Sequence, residues 1–170
     1  MVAVARSMTF EACYRVHRPR VYRLSLRYAG GRKSWAEDLT HDVFVKLLEH
    51  FPRLTAHDDL GGWLYRVTAH LAISRIRREQ TIVGKVWHLV AGEEAIDPSL
   101  DERVDATAVL SLLRRLPARE RVALCMKVLD GKSQREIAES LSISEGYASK
   151  LVARAWKRVR GSGWETDEQA

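Results

Sequence analysis

The chain has 170 residues, 46% of them hydrophobic and 29% charged, with a formal net charge of +6. That is enough apolar material for the cores of one or two small domains, which excludes a fibrous or wholly disordered protein. The longest apolar runs, such as Val43 to Val45 and Val122 to Met126, fall far short of the roughly 20 residues that cross a bilayer. No apolar segment of about 7 to 15 residues follows Arg6, so the expectation is a cytoplasmic protein without a secretory leader. The charge is unevenly divided. Residues 1 to 78 carry 14 Lys/Arg against 7 Asp/Glu and residues 106 to 160 carry 12 against 5, whereas residues 79 to 105 carry 2 against 7 and the last ten 0 against 3. Two basic blocks on either side of an acidic connector suit two modules that touch one polyanion.

Between a few Gly and Pro positions the apolar residues recur at three and four, so the chain reads as helical throughout, with no alternating strand. The first helix spans Phe10 to Tyr28 on Phe10, Tyr14, Val21, Leu24 and Tyr28, and Pro19 should kink or split it because it lacks an amide. Ser34 and Glu37 form a capping box that opens a second helix, with Trp35, Leu39, Val43, Leu47 and Leu48 sharing a stripe to about His50. A third starts between Asp59 and Trp63 and runs to about Arg78, with Leu64, Val67, Leu71 and Ile76 inward and a basic end at Arg75, Arg77 and Arg78. Periodicity then lapses over residues 80 to 105, which read as a flexible acidic linker with a short helical turn around Val83 to Val90, anchored by Trp87. It resumes from Ala106 with Val109, Leu110, Leu113 and Leu116, and Pro117 separates that helix from one over Ala118 to Leu129. Cys13 and Cys125 are isolated and lack CxxC spacing, as expected of two reduced, packed thiols.

The most specific local pattern begins at Ser133. Ser133 and Glu136 make a second capping box just after Asp130-Gly131, Ile137 and Ala138 point inward, Ser140 to Ile143 turn the corner, and Ser144 caps a further helix. Two short helices joined by a tight turn, with a small residue where they cross, form a helix-turn-helix. In that geometry the start of the second helix lies against base edges, which makes Glu145, Tyr147, Ser149 and Lys150 the candidates for sequence readout. Arg154, Lys157, Arg158 and Arg160 follow as phosphate contacts.

Leu116-Pro117-Ala118-Arg119-Glu120-Arg121 followed by this motif resembles region 4 of the extracytoplasmic-function (group 4) sigma factors of the sigma-70 family. Ala36-Glu37-Asp38-Leu39-Thr40-His41-Asp42-Val43-Phe44 is similar to their region 2.2, and Trp63 to Arg78 to their regions 2.3 and 2.4, so that residues 8 to 160 are covered in order. The resemblance implies an all-α protein of two small helical domains: residues 8–79 for core polymerase and the minus-ten element, a linker at 80–105, 106–160 for the minus-thirty-five element, and an acidic tail at 161–170. It implies that Asp38, His41, Asp42 and Phe44 dock the clamp helices of the polymerase beta-prime subunit. It assigns Trp63, Tyr65, Arg66, His70, Arg75, Arg77 and Arg78 to the minus-ten element, with the base-flipping pocket formed by Pro52 to Gly62, and Glu145, Tyr147, Ser149, Lys150, Arg154, Lys157 and Arg158 to the minus-thirty-five element. The implied partners are core RNA polymerase, through its beta-prime clamp and beta flap, promoter DNA and an anti-sigma factor. No cofactor, metal or catalysis of its own is implied. The chain departs from the family at His41, where Gln is commoner, at Ala69-His70, where Arg-Asn is usual, and at Gly146 to Leu151, where Gly-Thr-Val-Lys-Ser-Arg is usual.

Two other readings compete. A dimeric helix-turn-helix regulator would footprint a palindrome unaided, and has no use for the first lobe. A helical metal-dependent phosphohydrolase would build on His41-Asp42, but needs matching His and Asp on neighbouring helices.

Overall fold

The computed structural model describes residues 9–53, 59–81 and 106–161, with the backbone alone for 106–108. The expected turn at Val83 to Val90 with Trp87, most of the linker, the tail beyond Gly161 and the middle of the Pro52 to Gly62 loop lie outside the described residues. Seven α-helices and one short 3-10 turn make up the rest, and no strand occurs among the described residues. Helices α1 (Phe10–Tyr28), α2 (Lys33–His50) and α3 (Leu60–Gln80) form a first lobe, with the 3-10 turn Phe51–Arg53 after α2. Helices α4 (Ala106–Arg115), α5 (Ala118–Val128), α6 (Gln134–Leu141) and α7 (Glu145–Arg160) form a second.

Local chemistry accounts for most boundaries and corrects three expectations. Thr9 caps α1, its hydroxyl accepting from the Ala12 amide at 3.2 Å. The helix then runs unbroken through Pro19, because Arg18, Pro19 and Arg20 face water, which can solvate the carbonyl left without a donor. Gly30 and Gly31, at φ +64° and +84°, reverse the chain so tightly that α2 begins at Lys33. Its N-cap is therefore Arg32, without a side-chain cap, and the expected Ser34–Glu37 box falls inside the first turn. Asp59 caps α3 through the Gly62 amide at 2.9 Å. Leu47 is fully buried, but Leu48, about 100° further round the helix, is exposed.

Two apolar clusters result. A smaller one lies within the first lobe and joins Cys13, Val21, Val43, Phe44, Leu47, Leu60 and Leu64. The larger is continuous across both lobes, from Leu24, Tyr28, Leu39 and Ile76 to Leu113, Val122, Met126, Ile137 and Leu151. Each fully buried aliphatic side chain contributes about 1.5–3 kcal/mol relative to exposure, so the apolar part of the lobe contact outweighs any single polar bond across it.

The polar bonds nevertheless fix its register. Asp130, in the turn between α5 and α6, accepts from Arg27 of α1 and from the Tyr65 hydroxyl of α3 at 2.7 Å. Arg121 of α5 is buried and donates to the Tyr28 carbonyl at 3.3 Å and to the Arg114 carbonyl. Burial first, and then the nearby Arg32 guanidinium, lower its pKa to about 10, so it stays charged at neutral pH. Gln80 at the end of α3 donates to the Leu116 carbonyl at 2.9 Å.

Candidate functional site

The helix-turn-helix forms as its sequence dictates. The Ser133 hydroxyl accepts from the Glu136 amide at 3.2 Å while the Glu136 carboxylate accepts from the Ser133 amide at 2.8 Å, closing the capping box. The Ser133 amide first, and then Lys132, hold the Glu136 carboxyl at a pKa of about 2. Ser142 ends α6 in the left-handed conformation at φ +54°, and Ser144 caps α7 through the Tyr147 amide at 3.2 Å. Ala138 and Ala148 are both buried, and so allow the helices to cross closely. Helix α7 buries Ala148, Leu151, Val152, Ala155 and Val159 and turns its other side to water.

On that outer side Glu145, Lys150, Arg154, Lys157 and Arg160 are exposed. Tyr147 is half-buried against the core, and the Ser149 hydroxyl accepts from the Gln134 side chain at 3.2 Å, so α6 reaches the start of α7 through a residue that helical spacing alone does not single out. Arg158 is set apart from Lys150, Arg154 and Lys157 by its partner. Helical spacing leaves it near the ridge of Arg154, four residues earlier, but its guanidinium is engaged by the buried Glu120 carboxylate of α5 at 2.9 Å.

Helix α3 sorts its candidate residues in the same way. Arg66, His70, Arg77 and Arg78 are exposed along one side of the helix. Trp63 is half-buried on the smaller cluster, its ring 5.5 Å from that of His50, and so anchors the start of the helix. Tyr65 is half-buried, with its hydroxyl on Asp130 and the Lys132 ammonium 5.6 Å from its ring centroid. Burial first, and then the Asp130 carboxylate, push the Tyr65 phenol well above its ordinary range. Arg75 leaves the exposed row altogether and reaches α2.

On α2, Asp38, His41 and Asp42 lie on one outward side, as their spacing requires. Phe44 is buried, its ring 4.7 Å from that of Tyr14, so its side chain packs within the first lobe and does not share the outward side of Asp38, His41 and Asp42. Exposed Val45 and Leu48 continue the stripe of Asp38, His41 and Asp42 at helical spacing, and only the exposure pattern brings them out. Among the described residues no group of three or more His, Cys, Asp or Glu is placed to hold a metal ion, and no helix is long and apolar enough to cross a membrane.

Comparisons with known proteins bear on both lobes. Residues 13–82 match the model of sigma-70 region 2 and residues 106–159 that of sigma-70 region 4. The chain is 32% identical over 130 residues to the RNA polymerase sigma factor SigZ of Bacillus subtilis, covering 75% of this chain and 72% of that protein. It is 27% identical over 158 residues to the ECF RNA polymerase sigma factor SigE of Mycolicibacterium smegmatis, covering 89% of this chain and 60% of that one. Its fold is similar to that of the sigma factor RpoE of Bartonella quintana, solved with the anti-sigma factor NepR, at a TM-score of 0.66 and 20% identity over 89% of this chain and 94% of that one. The two regions, in this order on one all-helical chain, make it a member of the sigma-70 family of RNA polymerase sigma factors, of the extracytoplasmic-function type.

Proposed function

We propose that the two lobes divide promoter recognition between them, with residues 8–79 binding core RNA polymerase and the minus-ten element and residues 106–160 binding the minus-thirty-five element. One observation carries this reading: the helix that each matched motif supplies presents outward cations, Arg66, Arg77 and Arg78 on α3 and Lys150, Arg154 and Lys157 on α7, that make no ion pair among the described residues. Such rows suit phosphates, and Lys150 beside half-buried Tyr147 at the start of α7 suits base edges. Asp38, His41 and Asp42 offer the beta-prime clamp an acidic face. Bond-making belongs to the polymerase, the place of action is the cytoplasm, and an anti-sigma factor is the expected antagonist, as NepR is in the complex with RpoE.

Transcription in vitro with purified core polymerase, with start sites mapped, tests the reading. The chain should confer start-site selection on core polymerase. Lys150→Ala and Tyr147→Ala should weaken discrimination of the minus-thirty-five element by about 1–3 kcal/mol for each base edge no longer read, with core binding intact. Failure to direct start sites, or loss of core binding in those two variants, would overturn it.

A further inference from the structure

Arg75 belongs by sequence to the basic end of α3, yet its guanidinium turns away from Arg77 and Arg78 toward α2. Nη2 donates to Asp38 Oδ2 at 2.6 Å, Nη1 approaches Asp42 Oδ2 at 3.4 Å, and Cζ lies 5.4 Å from the centroid of the Trp35 ring. The Arg75 side chain is 24% exposed, against 63% for Asp38 and 47% for Asp42. A largely buried, planar cation thus braces two largely open carboxylates and uses one oxygen of each.

We infer that Arg75 is a positioning residue of the polymerase-docking face: it holds Asp38 and Asp42 in the orientation in which a basic partner meets them, and does not contact DNA. The inference rests on the docking role proposed above for α2. Two carboxylates four residues apart repel each other, and exposed Asp side chains exchange rotamers freely unless something holds them. The fork of a guanidinium spans both acids with its Cζ over the Trp35 ring, whereas an ammonium is a point charge that meets one acid at a time. The second oxygen of each carboxylate stays available to a partner. Without Arg75 a partner has to immobilise both side chains itself, and two short Asp side chains, each near the low end of the ordering cost of an interface side chain, together correspond to a loss of about three- to tenfold in affinity. The row that meets DNA is reduced accordingly to Arg66, His70, Arg77 and Arg78.

The test uses the full chain and intact core polymerase at about 0.15 M salt, where the Debye length of about 8 Å limits the gain in attraction from deleting a cation. Core affinity is measured for Arg75→Gln, Arg75→Lys and Asp42→Ala, each first checked by circular dichroism and thermal melting. Binding of a minus-ten single strand is then measured on holoenzyme assembled at saturating core polymerase. We expect Arg75→Gln to lower core affinity about three- to tenfold, Arg75→Lys to lower it less, and strand binding by saturated holoenzyme to match the unaltered chain. Core affinity equal to or above that of the unaltered chain in Arg75→Gln, or a defect confined to strand binding, overturns the inference. If Asp42→Ala also binds core polymerase normally, the docking role of α2 falls with it; if Asp42→Ala is impaired and Arg75→Gln is not, only the role of Arg75 falls.

Discussion

Replacing Asp130 with alanine removes the polar centre of the contact between the lobes, and its cost can be worked out from the geometry. The Asp130 side chain is 10% exposed and accepts from Arg27 and from the Tyr65 hydroxyl at 2.7 Å. A hydrogen bond to a charged group contributes about 1.5–3 kcal/mol, and the half-buried Tyr65 hydroxyl takes the lower part of that range, about 1.5–2 kcal/mol. Arg27 is 35% exposed. Water can therefore take over much of what the guanidinium gives up, so solvent screening leaves about 0.5–1 kcal/mol for that pair. Asp130→Ala should then lower stability by about 2–3 kcal/mol, and Asp130→Asn, which still offers Tyr65 an acceptor, by about 1–2 kcal/mol. Both partners lie on the first lobe, so the loss should show as easier separation of the lobes rather than as melting of either helix bundle.

Urea denaturation of Asp130→Ala, Arg27→Ala and the double variant gives the coupling between the two residues. Amide exchange along α1, α3 and α5 reports where the molecule opens. A loss below about 0.5 kcal/mol, or strictly additive single changes, would refute the claim that this carboxylate organises the contact.

The turn between α1 and α2 meets α4, so Gly30→Ala tests the same contact from another side. The new Cβ would lie 2.6 Å from Arg114 Cγ and 3.1 Å from the Leu110 carbonyl, at φ +64°. Left-handed backbone alone costs a residue with a side chain about 1–2 kcal/mol. Gly131→Ala, with the same φ and nothing within 4 Å of its Cβ, isolates that cost. Thermal melting should place Gly30→Ala below Gly131→Ala, and equal melting temperatures would show that the approach of Arg114 contributes nothing. The Glu136 capping box gives a pH test. Its folded pKa of about 2 lies below the ordinary carboxylate value near 4.3, so its stabilisation is complete above the unfolded value and is lost as pH falls through the folded one. The stability difference between the unaltered chain and Glu136→Gln should be level from about pH 7 to 5.5 and vanish between about pH 5 and 2. A difference that grows in acid would contradict the assignment.

What the sequence discloses here is what depends on neighbours three or four residues away. The Ser133–Glu136 box, the corner at Ser142 and the cap at Ser144 are local, and they form as expected; on α3 Leu64 and Ile76 are buried as expected, whereas Val67 and Leu71 are partly buried and Thr68, Ala72 and Ile73 share the covered side. The α2 start is displaced because two glycines ahead of it, both at positive φ, bring the chain to helix earlier than the Ser34 signal implies. Phe44 and Leu48 exchange their expected environments. Helical spacing names the stripes of α2, but only the position of α1, with Tyr14 on Phe44, decides which of them is covered. Arg75 and Arg158 look like any cation in a basic helix until Asp38, Asp42 and Glu120 are in place. The pairs that join the lobes, such as Arg27 with Asp130 over 103 residues of separation, leave no local trace at all.

Charge makes the lobe contact the least expected part of the molecule, since two blocks that are each strongly basic should repel. They pack because apolar surface is continuous between them and because two acids lie where the lobes meet: Asp130 faces Arg27, and Glu79 pairs with Arg32 at 2.8 Å and lies near enough to Arg121 to favour its charged form. Outward-facing cations remain on α3 and α7, and also on α1 at Arg18, Arg20 and Arg23. Elements centred at positions ten and thirty-five lie about 85 Å apart on straight duplex at 3.4 Å per base pair. Two packed lobes of about 60 residues, each with a radius of gyration near 10 Å, do not span that distance. Under the proposed division of labour the lobes must therefore part before both elements are held. The Tyr65 hydroxyl, occupied by Asp130 while the lobes are packed, becomes available to the minus-ten strand only by the same separation.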